Sequence, residues 1–183
     1  MGNHLKTYLS LILLEALLAY VVIRRVRKDG GLRRFIAEEP FTIGALGRDL
    51  LIAAAIWTAW TGFTHLWATL RPEQANHTVA TLLPSGAIES IVWIALSCSA
   101  GFAEELAFRG ALQRWGERKF GDVSLAIVVQ ALIFGVVHGY QGTSAVARIV
   151  VYGAFFGVVA HWRRSLVPGM LAHAWTDIAA GLL

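Results

Sequence analysis

The stretch that decides the fold is SGAIESIVWIALSCSAGFAEELAFRGAL, residues 85–112, an apolar run that carries Glu104, Glu105 and Arg109 near its end. A helix that crosses a bilayer needs about 20 mostly apolar residues, and this run is long enough. An ionised side chain near the bilayer centre costs about 2.5–3.5 kcal/mol on insertion scales, so it persists only with partners and usually marks function. The stretch predicts a transmembrane helix that bears part of a functional site.

Five further apolar stretches have a similar length. They cover residues 5–23, 49–70, 123–140, 144–162 and 166–183. The chain of 183 residues is 56% hydrophobic and only 15% charged, whereas soluble domains carry about 25% charged residues. We expect an all-α polytopic transmembrane bundle of about six spans, forming one integral membrane domain over residues 1–183. Within it, residues 1–48 form an anchor span and a cytoplasmic basic loop, and residues 85–183 form the catalytic helices.

Basic residues cluster at every second junction between spans, and this sets the expected orientation. By the positive-inside rule these junctions face the cytoplasm, so both termini lie outside it, in a bacterial inner membrane. The net charge of +4 is then an orientation signal and not a sign of nucleic-acid binding. The cytoplasmic set is Arg24, Arg25, Arg27, Lys28, Arg33 and Arg34, then Arg114, Arg118 and Lys119, then Arg163 and Arg164; Lys6, Arg71 and Arg148 oppose it, and His4, His77 and His161 are expected at the interface.

The first span is expected to be retained as an anchor. It carries Glu15 and is followed by a strong basic stop, which a cleaved signal peptide lacks. Residues 24–47, which follow it, are broken by Gly30, Gly31 and Pro40, so they predict either a connector or a lid over the site.

The charged cluster contains two glutamates that have different expected tasks. Consecutive helical residues point about 100° apart, so Glu104 and Glu105 cannot face the same spot. Glu105 lies four residues before Arg109, the spacing at which an acid pairs well with a following base. That leaves Glu104 for a polar cavity, where a carboxylate can act as a general base toward water.

Two later stretches supply further polar groups. Phe134 lies one turn before His138, and His173 and Asp177 are four residues apart, which places each pair on one helical face. A base, a histidine that orients water and a pair of donors for an oxyanion are the components of a hydrolase. Measured at 1.5 Å per residue from the basic junctions, Glu104 and His173 lie roughly 15 and 14 Å deep, and His138 roughly 20 Å, so a tilt or a kink at Gly135 is expected to bring it level.

Taken in order, these residues resemble the motifs of the CPBP intramembrane proteases, which include type II CAAX prenyl endopeptidases and bacterial bacteriocin-processing or self-immunity members. Glu104-Glu105 with Arg109 matches Glu-Glu-x-x-x-Arg, and Phe134 with His138 matches Phe-x-x-x-His. His173 with Asp177 matches His-x-x-x-Asn/Asp. The resemblance implies a glutamic protease in which Glu104 and His138 activate water, His173 and Asp177 stabilise the oxyanion, and Glu105 and Arg109 support the site.

The residue at 177 is a departure, because the eukaryotic prenyl endopeptidases carry Asn there. An ionised carboxylate cannot donate to an oxyanion, so Asp177 is either protonated or orients His173. The resemblance to small bacterial sorting proteases favours a membrane-anchored or exported protein, cut near its C-terminus, as the substrate. A CAAX-type prenylated substrate is the alternative.

Other interpretations of the same residues stay open. The expected enzyme needs no cofactor, but Glu104, the two histidines and Asp177 are also acceptable Zn²⁺ ligands. Glu105 and Arg109 could form a buried ion network that only fixes packing. The chain could bind a partner without catalysis, as an immunity protein, or relay protons as a transporter, although it shows no inverted repeat.

Overall fold

The computed structural model describes residues 2–27, 31–70 and 81–183, so Lys28, Arg71 and His77 lie outside the described residues. The predicted all-α fold is confirmed. In chain order the elements are α1 (Gly2–Val26), α2 (Leu32–Ile36), α3 (Ile43–Leu70), α4 (Ala87–Glu104), a π-helical segment (Glu105–Gln113), α5 (Arg114–Phe120), α6 (Val123–Val137), a 3₁₀ turn (Gly139–Gln141), α7 (Thr143–Arg163) and α8 (Val167–Leu182).

The chain is an integral membrane protein. Within the described ranges, three helical stretches are long and apolar enough to cross a bilayer: α3, the continuous run Ala87–Phe120, and α7. Helix α6 is apolar but shorter. The long helices coincide with the six predicted spans. Three of the spans are thus confirmed by length and composition, and the crossing by α1, α6 and α8 stays a prediction.

Close helix packing in the bundle depends on glycines at the contact points. A Cβ added at Gly101 of α4 would lie 2.8 Å from backbone atoms of Met170 and Ala174 in α8. A Cβ added at Gly153 of α7 would lie 3.1 Å from the Cα of Ala131 in α6. Small residues let membrane helices approach in this way. The bundle therefore holds α4 against α8, which both bear motif residues, and holds α6, which bears the third motif, against α7.

Helix α6 ends earlier than its sequence predicts. The expected span runs to residue 140, but the helix stops at Val137, and His138 leaves helical geometry with φ −91° and ψ 16°. The residues that follow, from His138 to Gly142, are no longer apolar and include the 3₁₀ turn, but the length of the apolar stretch alone does not resolve this boundary. His138 follows the last helical residue, and its Nε2 lies 3.8 Å from Glu104 of α4.

The segment between α1 and α3 is docked on the junction between α7 and α8. Its Ala37 forms an isolated antiparallel bridge with Ser165, and the amide of Leu166 donates to the carbonyl of Ile36 at 2.8 Å. Arg163 donates to the buried carboxylate of Asp49 at 2.9 Å. This segment is therefore packed against the bundle and is not a free connector.

Glu39, in the same segment, joins this charged network. Its carboxylate accepts from Arg163 at 3.3 Å and contacts Arg48. The hydrogen bond from Arg163, followed by the positive charges of Arg163 and Arg48, holds the pKa of Glu39 below its ordinary value. This end of the bundle is thus tied together by ion pairs that need ionised carboxylates.

Candidate active site

The predicted site residues converge from three parts of the chain. Glu104 is the last residue of α4 and Glu105 opens the π-helical segment. His138 follows α6, and His173 and Asp177 lie on α8. All of the predicted catalytic side chains come within reach of Glu104 or of one another, as the distances below show.

The two histidines converge on one oxygen of Glu104. Nε2 of His138 and Nε2 of His173 each lie 3.8 Å from Oε2 of Glu104. This distance is too long for a direct hydrogen bond, for which about 2.7–3.2 Å is usual. A polar contact of this length is one that a water molecule can bridge.

The tautomers of both histidines follow from their other ring nitrogens. Nδ1 of His138 lies 2.7 Å from the carbonyl oxygen of Phe134, and a carbonyl only accepts, so this Nδ1 carries a hydrogen. Nδ1 of His173 lies 3.1 Å from Oε1 of Glu105, and a carboxylate also only accepts. Each neutral imidazole therefore presents an unprotonated Nε2 toward Glu104.

Glu105 and Arg109 form a buried pair under the site. Nη1 of Arg109 donates to Oε1 of Glu105 at 2.8 Å, and both residues are at most 1% exposed. The guanidinium carbon lies 4.2 Å from the ring centroid of Phe134 and 5.6 Å from that of Phe156, which places a charge over aromatic faces. Glu105 of this pair thus contacts His173, and Arg109 packs on Phe134, whose backbone carbonyl accepts from His138.

Glu104 and Glu105 contact the same imidazole, which their helical spacing does not suggest. Glu105 reaches Nδ1 of His173, while Glu104 faces its Nε2. The chain changes to π-helical hydrogen bonding at Glu105, where the wider turn alters the directions of the side chains. The expectation that the two glutamates perform different tasks is compatible with this geometry, since they face opposite sides of the ring.

Asp177 lies beside the catalytic nitrogens but does not set the tautomer of His173. Its Oδ2 is 3.6 Å from Nε2 of His173, whereas the orienting contact to Nδ1 comes from Glu105. The Asp177 backbone carbonyl accepts from Trp93 at 2.9 Å. The carboxyl group remains 37% exposed, so it can face a bound substrate.

Two cavities meet at the site. One, of about 340 Å³, is lined by Glu15, Glu104 and side chains of α1 and α4. The other, of about 500 Å³, is lined by Trp57, Trp60 and side chains of α3 and α7. His138, His173 and Asp177 line both cavities. The polar groups thus lie between two spaces that open on opposite sides of them.

Sequence reasoning missed Glu15 as a site residue. Glu15 on α1 and Glu104 line the same smaller cavity, so their carboxyl groups lie near one another. An acid inside a predicted span is a functional candidate by default, so the signal was present. What the sequence does not contain is the contact between α1 and α4.

Glu104, His138, His173 and Asp177 are the candidate metal ligands of the site. Within residues 2–27, 31–70 and 81–183, no group of three or more His, Cys, Asp or Glu side chains is arranged to hold a metal ion. Zinc binds its nitrogen and oxygen ligands at about 2.0–2.2 Å.

The comparison with known families gives the class of the protein. Residues 86–179, just over half of the chain, match the family described as type II CAAX prenyl endopeptidase Rce1-like. The chain belongs to this family, which confirms the resemblance drawn from the motifs. It is therefore an intramembrane endopeptidase in the broad sense, a hydrolase that acts on membrane-anchored protein substrates.

The match covers α4 to α8 almost completely and leaves α1 to α3 outside. No curated protein and no solved structure matches the chain.

Proposed function

We propose that the protein is a glutamic-type intramembrane endopeptidase that cleaves membrane-anchored or exported proteins near their C-terminus, in a bacterial inner membrane with both termini outside the cytoplasm. The observation that supports this most is the convergence of two imidazole Nε2 atoms on Oε2 of Glu104, each at 3.8 Å. A polar gap of this length is one that a water molecule can bridge between a carboxylate and two ring nitrogens. Membrane topology is proposed from the distribution of Lys and Arg alone.

The first step is the activation of that water. His138 orients the water, and Glu104 takes a proton from it. The oxygen of the water attacks the carbonyl carbon of the scissile peptide bond. The negative charge that develops on the carbonyl oxygen is stabilised by His173 in its imidazolium form, which carries a hydrogen on Nε2 as well as on Nδ1, and by Asp177 in its protonated form, both acting as donors. The proton held by Glu104 then passes to the departing amine nitrogen as the C–N bond breaks.

Glu15 acts in this scheme as a positioning residue. Both carboxyl groups line the smaller cavity, and a protonated Glu15 donates a hydrogen bond that orients Glu104. The family match does not extend to α1, so this role rests on the shared cavity.

The supporting pair of Glu105 and Arg109 keeps this geometry fixed. Glu105 holds the hydrogen of His173 on Nδ1, so that Nε2 points to the reacting atoms. Gly169 on α8 makes this approach possible, since a Cβ there would lie 2.9 Å from Oε2 of Glu105. The pair is thus a positioning device and not a source of protons.

The substrate class is tested by comparing the C-terminal peptides of membrane and secreted proteins from native cells that carry wild-type protein with those from cells that carry Glu104→Gln. Cells with Glu89→Gln, a change to a carboxylate near the other end of α4, provide the matched control. New C-termini that need Glu104 but not Glu89 support the proposal and identify the substrate. Their sequences also separate the two substrate classes, because prenylated substrates end in a modified cysteine.

If the three profiles agree while the proteins accumulate equally, catalysis by Glu104 is wrong. A phenotype that survives Glu104→Gln would then favour partner binding.

A further inference from the structure

A large cavity lies at the basic end of the bundle, away from the catalytic residues. It has a volume of about 980 Å³ and is enclosed by the end of α1, by α2, by the π-helical segment and by α5. Four arginines line it, Arg25 and Arg34 from the first part of the chain and Arg114 and Arg118 from α5. The walls between them are apolar, and Trp115 is 49% exposed beside them.

The four arginines make no close ion pair. In the part of the chain that the structure describes, no acidic side chain lies within salt-bridge distance of any of them. Glu38 and Glu117 are paired with Arg164 and His161, each at 3.3 Å, and act on Arg114 only at longer range. The guanidinium of Arg114 lies 4.8 Å from the ring centroid of Phe35, so its face is covered while its edge stays available.

The chemistry of the cavity selects its ligand. Guanidinium groups bind phosphate oxygens through paired hydrogen bonds, and each guanidinium has five N–H donors for this purpose. A site between membrane helices that combines several arginines with apolar walls suits a phosphate that carries acyl chains, because the chains stay in lipid while the headgroup enters the protein. The cavity volume is within the range of small-molecule sites.

We propose that this cavity binds the phosphate headgroup of an anionic glycerophospholipid. The membrane itself supplies the ligand, since the cavity lies at the end of α1 and of the span Ala87–Phe120. Binding joins α1 and α2 to the π-helical segment, whose Ala107, Gly110 and Ala111 form one wall. This inference does not depend on the proposed proteolytic activity.

The test measures lipid binding to the purified full-length protein. Phosphatidylglycerol and phosphatidylcholine are titrated separately into the protein in neutral detergent, and the bound lipid is counted by native mass spectrometry. The test variant is R34Q/R118Q. The matched control is R33Q/K119Q, which removes the same charge from the neighbouring positions, both exposed and neither lining the cavity.

We expect wild type and R33Q/K119Q to retain phosphatidylglycerol in preference to phosphatidylcholine. R34Q/R118Q should bind phosphatidylglycerol about 30-fold more weakly, since each basic residue near an anionic lipid contributes about a factor of five. Equal losses in the two double variants would show diffuse attraction to the basic surface and overturn the site.

A third measurement distinguishes binding of the intact lipid from binding of free phosphate. Inorganic phosphate is added at constant ionic strength to protein loaded with phosphatidylglycerol. Retention of the lipid supports the proposal, and its displacement by phosphate at equal concentration would assign the cavity to a free phosphate and overturn it. If R34Q/R118Q fails to fold, R34Q alone provides the same comparison against R33Q, because both residues are exposed on a short helix.

Discussion

Removing Arg109 should destabilise the protein more than removing the whole ion pair to which it belongs. Arg109 and Glu105 are both at most 1% exposed, and their charged atoms are 2.8 Å apart. At an effective dielectric constant of about 20, unit charges at this distance attract by about 6 kcal/mol, which offsets the penalty for burying both. Deleting one partner of such a pair typically costs about 3–5 kcal/mol, because the other charge stays buried alone.

The comparison uses four variants in detergent micelles: Arg109→Met, Glu105→Met, the two combined, and Arg33→Met as a control. Arg109→Met leaves Glu105 with His173 as its remaining partner and also removes the cation over Phe134. We expect it to lower the free energy of unfolding by about 3–5 kcal/mol. Arg109→Met combined with Glu105→Met leaves no isolated charge, so its loss should be smaller than that of Arg109→Met.

Unfolding in a titration with denaturing detergent is followed by tryptophan fluorescence. Arg33→Met is the matched control, because Arg33 is exposed and its loss should change the free energy by less than about 0.5 kcal/mol. A loss below about 1 kcal/mol for Arg109→Met would refute the reasoning. So would a double variant whose loss equals the sum of the two single losses, since contacting residues should be coupled by about 0.5–3 kcal/mol.

Four other changes have defined outcomes. Gly101→Ala places a methyl group against backbone of α8, so it should lower both the thermal midpoint and the proteolytic rate, and an unchanged rate would contradict the packing described. Glu15→Gln keeps a donor near Glu104 and should retain most activity, whereas Glu15→Leu removes it and should lower the proteolytic rate. Equal rates for the two variants would remove the role of Glu15. The pKa of Glu39 is lowered by Arg163, so wild type should be more stable than Glu39→Gln at neutral pH. This difference in stability should disappear as pH falls through the lowered pKa. A difference that persists in acid would show that the ion pair does not cause it. Chelation with EDTA should leave the proteolytic rate unchanged, and loss of activity that Zn²⁺ restores would establish a metal enzyme.

The sequence predicts the helical class and the partners in the site because both depend on short-range spacing. Apolar runs of sufficient length identify the spans, and motif residues four apart, such as His173 and Asp177, share a helical face. The meeting of Glu104 with His138 is predicted by the resemblance to a family, whereas depth counted along the helices leaves the two about 5 Å apart unless a helix tilts or kinks. Both kinds of information are present in the order of the residues.

Three features could not be read in this way. The π-helical hydrogen bonding that begins at Glu105 has no distinctive pattern in a single sequence. The end of α6 at Val137 is a boundary that the length of an apolar stretch does not resolve, although the residues from His138 to Gly142 are no longer apolar. The contact of Glu15 with Glu104 joins positions far apart in the chain, and no local rule of periodicity reports such a pair.

The measurement that tests the central claim most directly is the rate of cleavage by purified protein in lipid nanodiscs, with a substrate peptide identified from the native C-termini. Wild type, Glu104→Gln and Glu89→Gln are compared at equal protein and equal fold stability. Loss of a general base typically lowers the rate by about 10²–10⁴-fold, so Glu104→Gln should fall by that factor while Glu89→Gln stays close to wild type. A folded Glu104→Gln protein that cleaves at the wild-type rate would contradict the assignment of Glu104 as the base.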